Sequence, residues 1–499
     1  MSLYNTWILN FSRKIKRRIF TKWQIYGKMQ VQEIFIICKE RITVMDLMKR
    51  ELLNYDIFPK VIPVGKEVSI TVKPRGGHAA FAKNKEHTIA IHTMTEGIPS
   101  TYPTRNNYAS YKMTPSEDGC FHIVHTFQKE SEHYIRIILE DKRIVQLSVY
   151  AVESDLIGRY PYIGDMHMHS TRSDGKEHPF IVAANYRKAG YDFMAITDHR
   201  KYYPSLETKR FYEPLNLDVK FYPGEEIHLP GNDIHIVNFG GDYSVNGLLD
   251  CSLQYINKGA DPDWRSITGI CPDVMTEEEY REQVNALAQT LDIPDNVEKF
   301  PYASCVWICN HIKKANGLGI FAHPYWISNV YQVPEDFTDH MFKTHPFDAF
   351  EVFGGLTYFQ QNGYQVQKYH DYRAQGIQVP IVGNTDTHGS TPYNGDWHSA
   401  RSMVLAYENT RDEIVGAVKS FYNVAIQDIK NHVEVLGTLR MMKYCWFLYE
   451  HYLPIHDELC FEEGRLMKEY ACGDEEAGED LRRISRRMDK LRKKYFCFD

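Results

Sequence analysis

The chain has 499 residues, 43% apolar and 25% charged, with a formal net charge of -7; that length calls for two or three domains of ordinary globular composition. The acidic balance excludes a general attraction to nucleic acid or an anionic membrane. No run reaches the ~20 apolar residues of a membrane span, and the ten cysteines follow no disulfide or zinc-cage spacing, so free thiols in a reducing, cytoplasmic setting are expected.

Residues 1–48 open with a basic stretch (Arg13, Lys14, Lys16, Arg17, Arg18, Lys22, Lys28) that has no acidic residue before position 33. A poorly ordered leader, or translation upstream of a start near Met45 or Met48, is expected ahead of a basic arm for RNA or membrane. From 49 to 157 short alternating runs read as strands: Val61–Val64, Val68–Val72, Thr88–His92, Phe121–His125, Tyr134–Leu139 and Leu147–Ala151. With turn signals and no helix between them, they predict a small β-sandwich-like domain.

After residue 158 strands and helices alternate. Tyr162–His167, Asp192–Thr197, Val219–Tyr222, Ile234–Phe239, Gly319–Ala322, Ala349–Phe353, Val379–Val382 and Ser402–Ala406 read as strands, with a helix from Pro179 to Ala189 closed by Gly190. The class is α/β and the architecture a (β/α) barrel over 158–424, interrupted by an insertion at about 242–303. Residues 425–499 read as a helical extension whose basic face is solvated and whose apolar face docks.

In such barrels chemistry sits at the C-terminal ends of strands, and these ends carry metal-binding residue types. His167 and His169 stand two apart after the first strand, so in extended chain both face one side. Asp174 follows in the loop; His199, Glu226, His235, His323, Asp386 and His388 stand at or near later strand ends. Six histidines and three carboxylates without cysteine suit Zn, Mn or Fe, and exceed the three protein ligands of one open zinc site. They suffice for two or three divalent ions with one carboxylate bridging. The excess positive charge calls for a small anionic substrate.

Taken in order, Asp165-Met-His-Met-His-Ser170, Ser173-Asp-Gly175, Ile196-Thr-Asp-His199, Gly224-Glu-Glu226, Ala322-His-Pro324 and Asn384-Thr-Asp-Thr-His388 resemble the polymerase and histidinol phosphatase (PHP) superfamily of metallophosphoesterases. The resemblance implies a distorted (β/α)7 barrel holding up to three metals, with a metal-bound hydroxide as nucleophile. It implies His167, His169, Glu226 and Asp386 around the first metal; Glu226, His235 and His323 around the second; and Asp174, His199 and His388 around the third. Arg200 departs from the Asn that often follows the Thr-Asp-His motif. The β-rich segment ahead of the barrel resembles, in architecture only, a subgroup of carbaryl and other carbamate hydrolases.

The expected activity is hydrolysis of a phosphomonoester, with Arg172, Arg200 and Arg401 each either clamping phosphate or making a structural salt bridge. The alternatives are a carbamate, aryl-ester or amide hydrolase using an apolar slot of Tyr325, Trp326 and Trp397, and a non-catalytic metal-binding scaffold. A nucleic-acid substrate and a membrane partner are not expected. The oligomeric state is left open.

Overall fold

The computed structural model describes residues 50–95, 108–249, 274–354, 359–391, 397–429 and 432–498. The expected leader (1–48) and the middle of the expected insertion (250–273) lie outside the described residues. The first eight strands are β1 (Tyr55–Phe58), β2 (Val61–Pro63), β3 (Glu67–Pro74), β4 (His87–Thr93), β5 (Tyr108–Met113), β6 (Phe121–Thr126), β7 (Ser131–Leu139) and β8 (Lys142–Val152). They form two sheets, β1-β3-β6 and β2-β8-β7-β4-β5. Alternation puts every second residue inward: Val68, Ile70 and Val72 on β3 and Ile135 and Ile137 on β7 are buried. The sheets meet where Phe121 of β6 packs edge-on against His87 of β4, with centroids 5.1 Å apart. The Tyr111 hydroxyl of β5 also lies 2.8 Å from His125 Nδ1 of β6. His87 and His125 thus belong to the packing between sheets.

The later strands are β9 (Tyr160–Asp165), β10 (Phe193–Met194), β11 (Lys220–Phe221), β12 (Gly224–Leu229), β13 (Asn232–Phe239), β14 (Leu318–Phe321), β15 (Ile327–Ser328), β16 (Val330–Tyr331), β17 (Ala349–Phe353), β18 (Ile381–Gly383), β19 (Ala400–Ala406), β20 (Asn423–Ile429) and β21 (His432–Leu436). Two curled sheets result, β11-β10-β9-β19-β20-β21 and β12-β13-β14-β17-β18. The β9–β10–β11 and β14–β17–β18 runs are parallel, whereas β12–β13–β14 and β9–β19–β20–β21 are antiparallel. The architecture is therefore mixed α/β built on half-barrel sheets, with antiparallel strands where an uninterrupted (β/α)7 alternation has none.

The departure has a local cause. Only Pro230 and Gly231 link β12 to β13, Gly231 at φ 77°, and a two-residue turn admits an antiparallel hairpin but no crossover helix. The helical reading of 425–436 is corrected as well, since β20 and β21 complete the first sheet. Residues 423–427 are all buried, and burial on both faces erases the period of two that marks a strand. The seam between the sheets is closed by side chains: Asn423 Nδ2 donates to Ile381 O at 2.6 Å, and Ser402 Oγ bonds both the amide and the carbonyl of Gly383.

The chain ends in helices Leu439–His451, Leu453–Ala471, Glu475–Ile484 and Arg487–Tyr495. Helix Leu453–Ala471 crosses Pro179–Lys188 so closely that a Cβ on Gly464 would sit 2.1 Å from Lys188 N. The last residues return to β2: Lys60 N donates to Tyr495 O at 2.7 Å and Cys497 N to Val61 O at 2.9 Å. Among the described residues no helix is long and apolar enough to cross a membrane, and the described cysteines are free thiols.

At that closure Lys60 is fully buried, its ammonium lacking a hydrogen-bond acceptor and 4.8 Å from the Tyr495 ring centroid. Burial pushes its pKa down to about 7 against the pull of Asp56. Between that value and the ordinary 10.5 the unfolded chain holds more protons than the folded one, so this group makes stability rise with pH across the window. Lys60→Met is expected to flatten that slope in melting curves from pH 7 to 10. It should stabilise the protein at pH 7 by up to roughly 4 kcal/mol.

Candidate metal centre

Beyond its ladder, β9 continues alongside three other strand ends. Asp386 N donates to His167 O and His169 N to Thr387 O, both at 2.9 Å. On the other side Thr197 N donates to Met168 O at 2.8 Å, and Glu226 N to Thr197 O at 3.1 Å. Four consecutive segments thus present their side chains at one end of the sheets. Two buried carboxylates lock the loops. Asp165 accepts from His167 N at 3.0 Å and Thr385 Oγ1 at 2.6 Å. Asp198 accepts from the amides of Ser170 and Ser173 at 2.8 and 2.9 Å and from both hydroxyls at 2.5 Å. With its oxygens so occupied, Asp198 is a loop anchor rather than a proton carrier. Gly175 completes the turn that brings Asp174 back: a Cβ there would stand 2.6 Å from Ser170 Cα.

All nine residues singled out as metal-ligating converge. Glu226, fully buried, is the hub. Its Oε1 is 2.5 Å from His235 Nδ1 and 3.5 Å from His323 Nε2; its Oε2 is 2.6 Å from His199 Nδ1 and 3.5 Å from Nε2 of both His167 and His169. Asp386 Oδ1 is 2.9 Å from His169 Nε2 and 3.3 Å from His167 Nε2. Asp174 Oδ2 is 3.3 Å from His388 Nε2 and 3.5 Å from His199 Nε2. Four donor groups result, each with atoms within 4.8 Å of one another: His167, His169 and Asp386; His167, Glu226 and His323; His169, Asp174, His199 and His388; and His199, Glu226 and His228.

The donor set fits divalent cations. Both oxygens of Glu226, His167 Nε2, His169 Nδ1 and His323 Nδ1 are buried without a hydrogen-bond partner, a costly state for polar atoms unless a cation satisfies them. Imidazole and carboxylate donors suit Zn, Mn or Fe. His323 and Asp386 lie at φ 23° and 45°, a left-handed region that L-residues adopt at a cost and that concentrates at functional sites. Burial raises the Glu226 pKa, but the imidazoles of His235, His199 and His167 outweigh it and hold the carboxyl well below its usual range. His199 is pushed up to about 10, chiefly by Glu226 and Asp174 against the opposing effect of burial. His169 is instead pushed down to about 3 by burial and by neighbouring His199. Exposure grades across the cluster: the side chains of His167 and Glu226 are 0% exposed, those of His199, His388 and Asp174 26, 30 and 54%. Asp174 therefore marks the mouth and Glu226 the floor.

Two participants escape a reading of the sequence. Glu351, fully buried on β17, has Oε2 2.9 Å from His167 Nδ1 and accepts from Asn384 Nδ2 at 2.9 Å. It thereby aims His167 Nε2 at Glu226 and Asp386, as carboxylates behind metal-binding imidazoles do. The lone charge in Ala349-Phe-Glu-Val-Phe353 was its signal. His228 lies on β12 with Nε2 2.8 Å from His199 Nδ1; its spacing of two from Glu226 was the signal. Glu225, on the opposite strand face, instead accepts from Ser244 Oγ, Val245 N, Asn246 Nδ2 and Asn238 Nδ2 at 2.6, 2.5, 2.9 and 3.1 Å.

The arginine and aromatic expectations need correction. The Arg172 guanidinium is forked onto Glu207, at 2.5 and 3.0 Å. Arg401 is buried 3.7 Å from Asp428 and over the Tyr191 ring. Carboxylates distant in sequence thus claim both. Arg200 sits at φ 61° with its amide donating to Glu226 O at 3.0 Å. Of the three slot aromatics, Trp397 packs on Tyr186 and Tyr325 is buried against Tyr331 and Tyr364. Trp326 stands by the cluster, its ring centroid 6.2 Å from His323 and 6.3 Å from His235.

No family model and no curated protein match the chain. Among solved structures it is similar to a two-domain protein of Bacteroides vulgatus ATCC 8482, predicted to contain a PHP-like metal-dependent phosphoesterase. That likeness has 18% identity and a TM-score of 0.34 over 54% of this chain and 65% of the other, slightly under two thirds of the latter. A protein of Bifidobacterium adolescentis ATCC 15703 described as a metal-dependent phosphoesterase is 17% identical, covering 46% of this chain and 88% of the other at a TM-score of 0.29. An amidohydrolase of Chromobacterium violaceum with bound sulfate and no metal is 15% identical, covering 45 and 87% at a TM-score of 0.26. All three are remote. None carries an activity or a ligand set across to this chain.

Proposed function

We propose that the chain is a metal-dependent phosphomonoesterase of the PHP type, acting on a small anionic ester. The observation that supports it most is Glu226: a fully buried carboxylate whose two oxygens lack hydrogen bonds while histidine nitrogens surround both. In this reading His167, His169, Glu226 and Asp386 hold one ion; Glu226, His235 and His323 a second; and Asp174, His199 and His388 a third. Such ions, Zn, Mn or Fe, supply Lewis acidity and a nucleophile at neutral pH. Glu351 fixes the direction of His167, and Asp165 and Asp198 hold the ligand-bearing loops in register. The half-exposed Asp174 and His388 border the side from which an ester enters. Trp326 provides an apolar wall beside His235 and His323. The β-rich segment 49–157 shares a hydrophobic core with the hydrolase segment through Val61, Tyr150 and Val152, so the two fold as one compact unit.

The position of Trp326 favours a second reading, hydrolysis of a carbamate, aryl ester or amide at the same centre, as in the carbamate-hydrolase subgroup. The test is a panel of p-nitrophenyl phosphate, p-nitrophenyl acetate and an aryl carbamate, assayed with Mn- and Zn-reconstituted protein. Metal-dependent turnover with the highest kcat/KM on the phosphate is the expected result. Faster turnover of the acetate or carbamate would transfer the assignment to the second reading. Metal binding without turnover of any of them would leave a scaffold.

A further inference from the structure

One histidine of the cluster belongs to none of the three proposed ligand sets. His228 stands two residues beyond Glu226 on β12, where the ladder shifts register between Ile227 and Leu229, and its ring comes to the same side as the Glu226 carboxylate. Its ring is edge-on to those of His199 and His235, with centroids 4.7 and 4.4 Å apart. Its Nε2 lies 2.8 Å from His199 Nδ1 and 3.8 Å from Glu226 Oε2.

The two nitrogens of His199 face different neighbours. Nε2 looks toward Asp174 Oδ2 at 3.5 Å, and the same oxygen is 3.3 Å from His388 Nε2. Nδ1 is closer to Glu226 Oε2, at 2.6 Å, than to His228. Distance does not decide its partner, however, because an imidazole N–H points in the ring plane. Hydrogen-bond geometry is satisfied between His199 Nδ1 and His228 Nε2, whereas both oxygens of Glu226 have no hydrogen-bond partner. A metal-ligating imidazole commonly donates its second N–H to an acceptor, which fixes its tautomer and its orientation. Usually a carboxylate or carbonyl accepts. Here the adjacent carboxylate is the hub of the inner donor groups, and a second imidazole stands within hydrogen-bond distance of Nδ1, the tautomer deciding which ring donates.

We propose that His228 is a positioning residue for the outermost metal, the one assigned to Asp174, His199 and His388. It accepts the Nδ1 proton of His199 and so leaves the Nε2 lone pair free and directed at Asp174 and His388. This rests on reading the cluster as a metal centre, and adds that the outermost ion is controlled from β12 by a residue that does not bind it.

The test uses full-length protein in solutions of buffered free Zn(II), with bound metal counted by inductively coupled plasma mass spectrometry. Asp174→Asn marks which equivalent is the outermost. His228→Leu is expected to weaken that equivalent by about 10- to 100-fold, leaving the other equivalents and the stoichiometry at saturating Zn(II) as in wild type. His228→Gln places an amide oxygen near the Nε2 position and should recover affinity to within a few-fold. In the Asp174→Asn background His228→Leu should have no further effect on metal binding, since both act on one equivalent. Wild-type affinities in His228→Leu would overturn the proposal. So would an equivalent missing even at saturation, which would make His228 a ligand, or equal weakening in His228→Gln and His228→Leu. Far-UV circular dichroism of each metal-free variant checks that it is folded. Failure of wild type to bind Zn(II) at all would instead overturn the metal-centre reading itself.

Discussion

Glu226→Gln is expected to lower metal-dependent hydrolysis by about 1,000-fold or more and to cost at least one bound metal per chain. Glutamine has nearly the shape of glutamate, so the packing of β12 survives, but it carries no charge and offers one acceptor oxygen in place of two. Where Glu226 Oε1 faces His235 and His323 and Oε2 faces His199, His167 and His169, an amide would set an N–H donor against one of these groups. Under the proposed assignment, its capacity to bridge two ions would be lost. Several kcal/mol of transition-state stabilisation are commonly supplied by a bound metal, and about 1.4 kcal/mol corresponds to a factor of ten, which sets the scale of the loss. Glu225→Gln is the matched control. Its carboxylate accepts four hydrogen bonds on the other strand face, so this change should reduce stability and leave metal stoichiometry intact. His169→Ala and Asp386→Ala should also abolish turnover while the fold persists, because Asp165 and Asp198 hold the same loops independently. Kinetics on reconstituted protein, paired with metal analysis, separates the cases.

The second large effect is on stability. Asp192→Ala is expected to destabilise the protein by about 3–5 kcal/mol, the scale for removing one partner from a buried ion pair. Asp192 is buried and accepts from Ile163 N and Arg187 Nη1 at 3.0 Å and from His456 Nε2 at 2.9 Å. Arg187 also pairs with Glu463, which accepts from Asp218 N at 2.9 Å. The network joins the start of β10, helix Pro179–Lys188 and helix Leu453–Ala471, and the change takes one carboxylate from a buried guanidinium that keeps Glu463 and from an imidazole that keeps Asp457. Asp192, His456 and Cys460 are close enough together to hold an ion. Both ring nitrogens of His456 are nevertheless spent, on Asp192 and on Asp457 at 2.8 Å, so the trio is read as a structural tie.

The pH dependence of that tie follows from two opposite shifts. Burial raises the Asp192 pKa, but His456 and Arg187 outweigh it and hold the carboxyl well below its usual range. Its contribution is present above the ordinary value of 3.8 and fades as pH falls toward the depressed one. His456 is held well above 6.5, mainly by Asp192 acting against burial, so its contribution is complete below 6.5 and fades as pH rises through the raised value. The stability difference between wild type and Asp192→Ala, from urea melts, should therefore be largest and flat between about pH 4 and 6.5.

How much of this was legible in the sequence depended on the range of the cause. His167 with His169, and Asp386 with His388, could be read because a spacing of two in extended chain puts both side chains on one face. Their division between metals, with His167, His169 and Asp386 on one and His388 on another, came from the resemblance, since spacing alone does not say which distant carboxylate completes which group. Glu226 and Glu225 are adjacent and chemically alike; strand alternation sends them to opposite faces, but the residues do not say which face is the site. His228 and Glu351 were missed because their partners are 29 and 184 residues away. Arg172 and Arg401 take the salt-bridge alternative, with carboxylates lying 35 and 27 positions on, at Glu207 and Asp428. The eight strands read from residue 158 onward are present, whereas β12 was hidden in a hairpin and β20 by burial on both faces; β21 was missed although His432-Val-Glu-Val435 alternates.

Metal content after loading is the most direct test of the central claim. Full-length protein saturated with Mn(II) or Zn(II), freed of excess ion by gel filtration and analysed by inductively coupled plasma mass spectrometry should retain two to three equivalents per chain, and Glu226→Gln at least one fewer. Less than one equivalent in the wild-type protein would contradict the account.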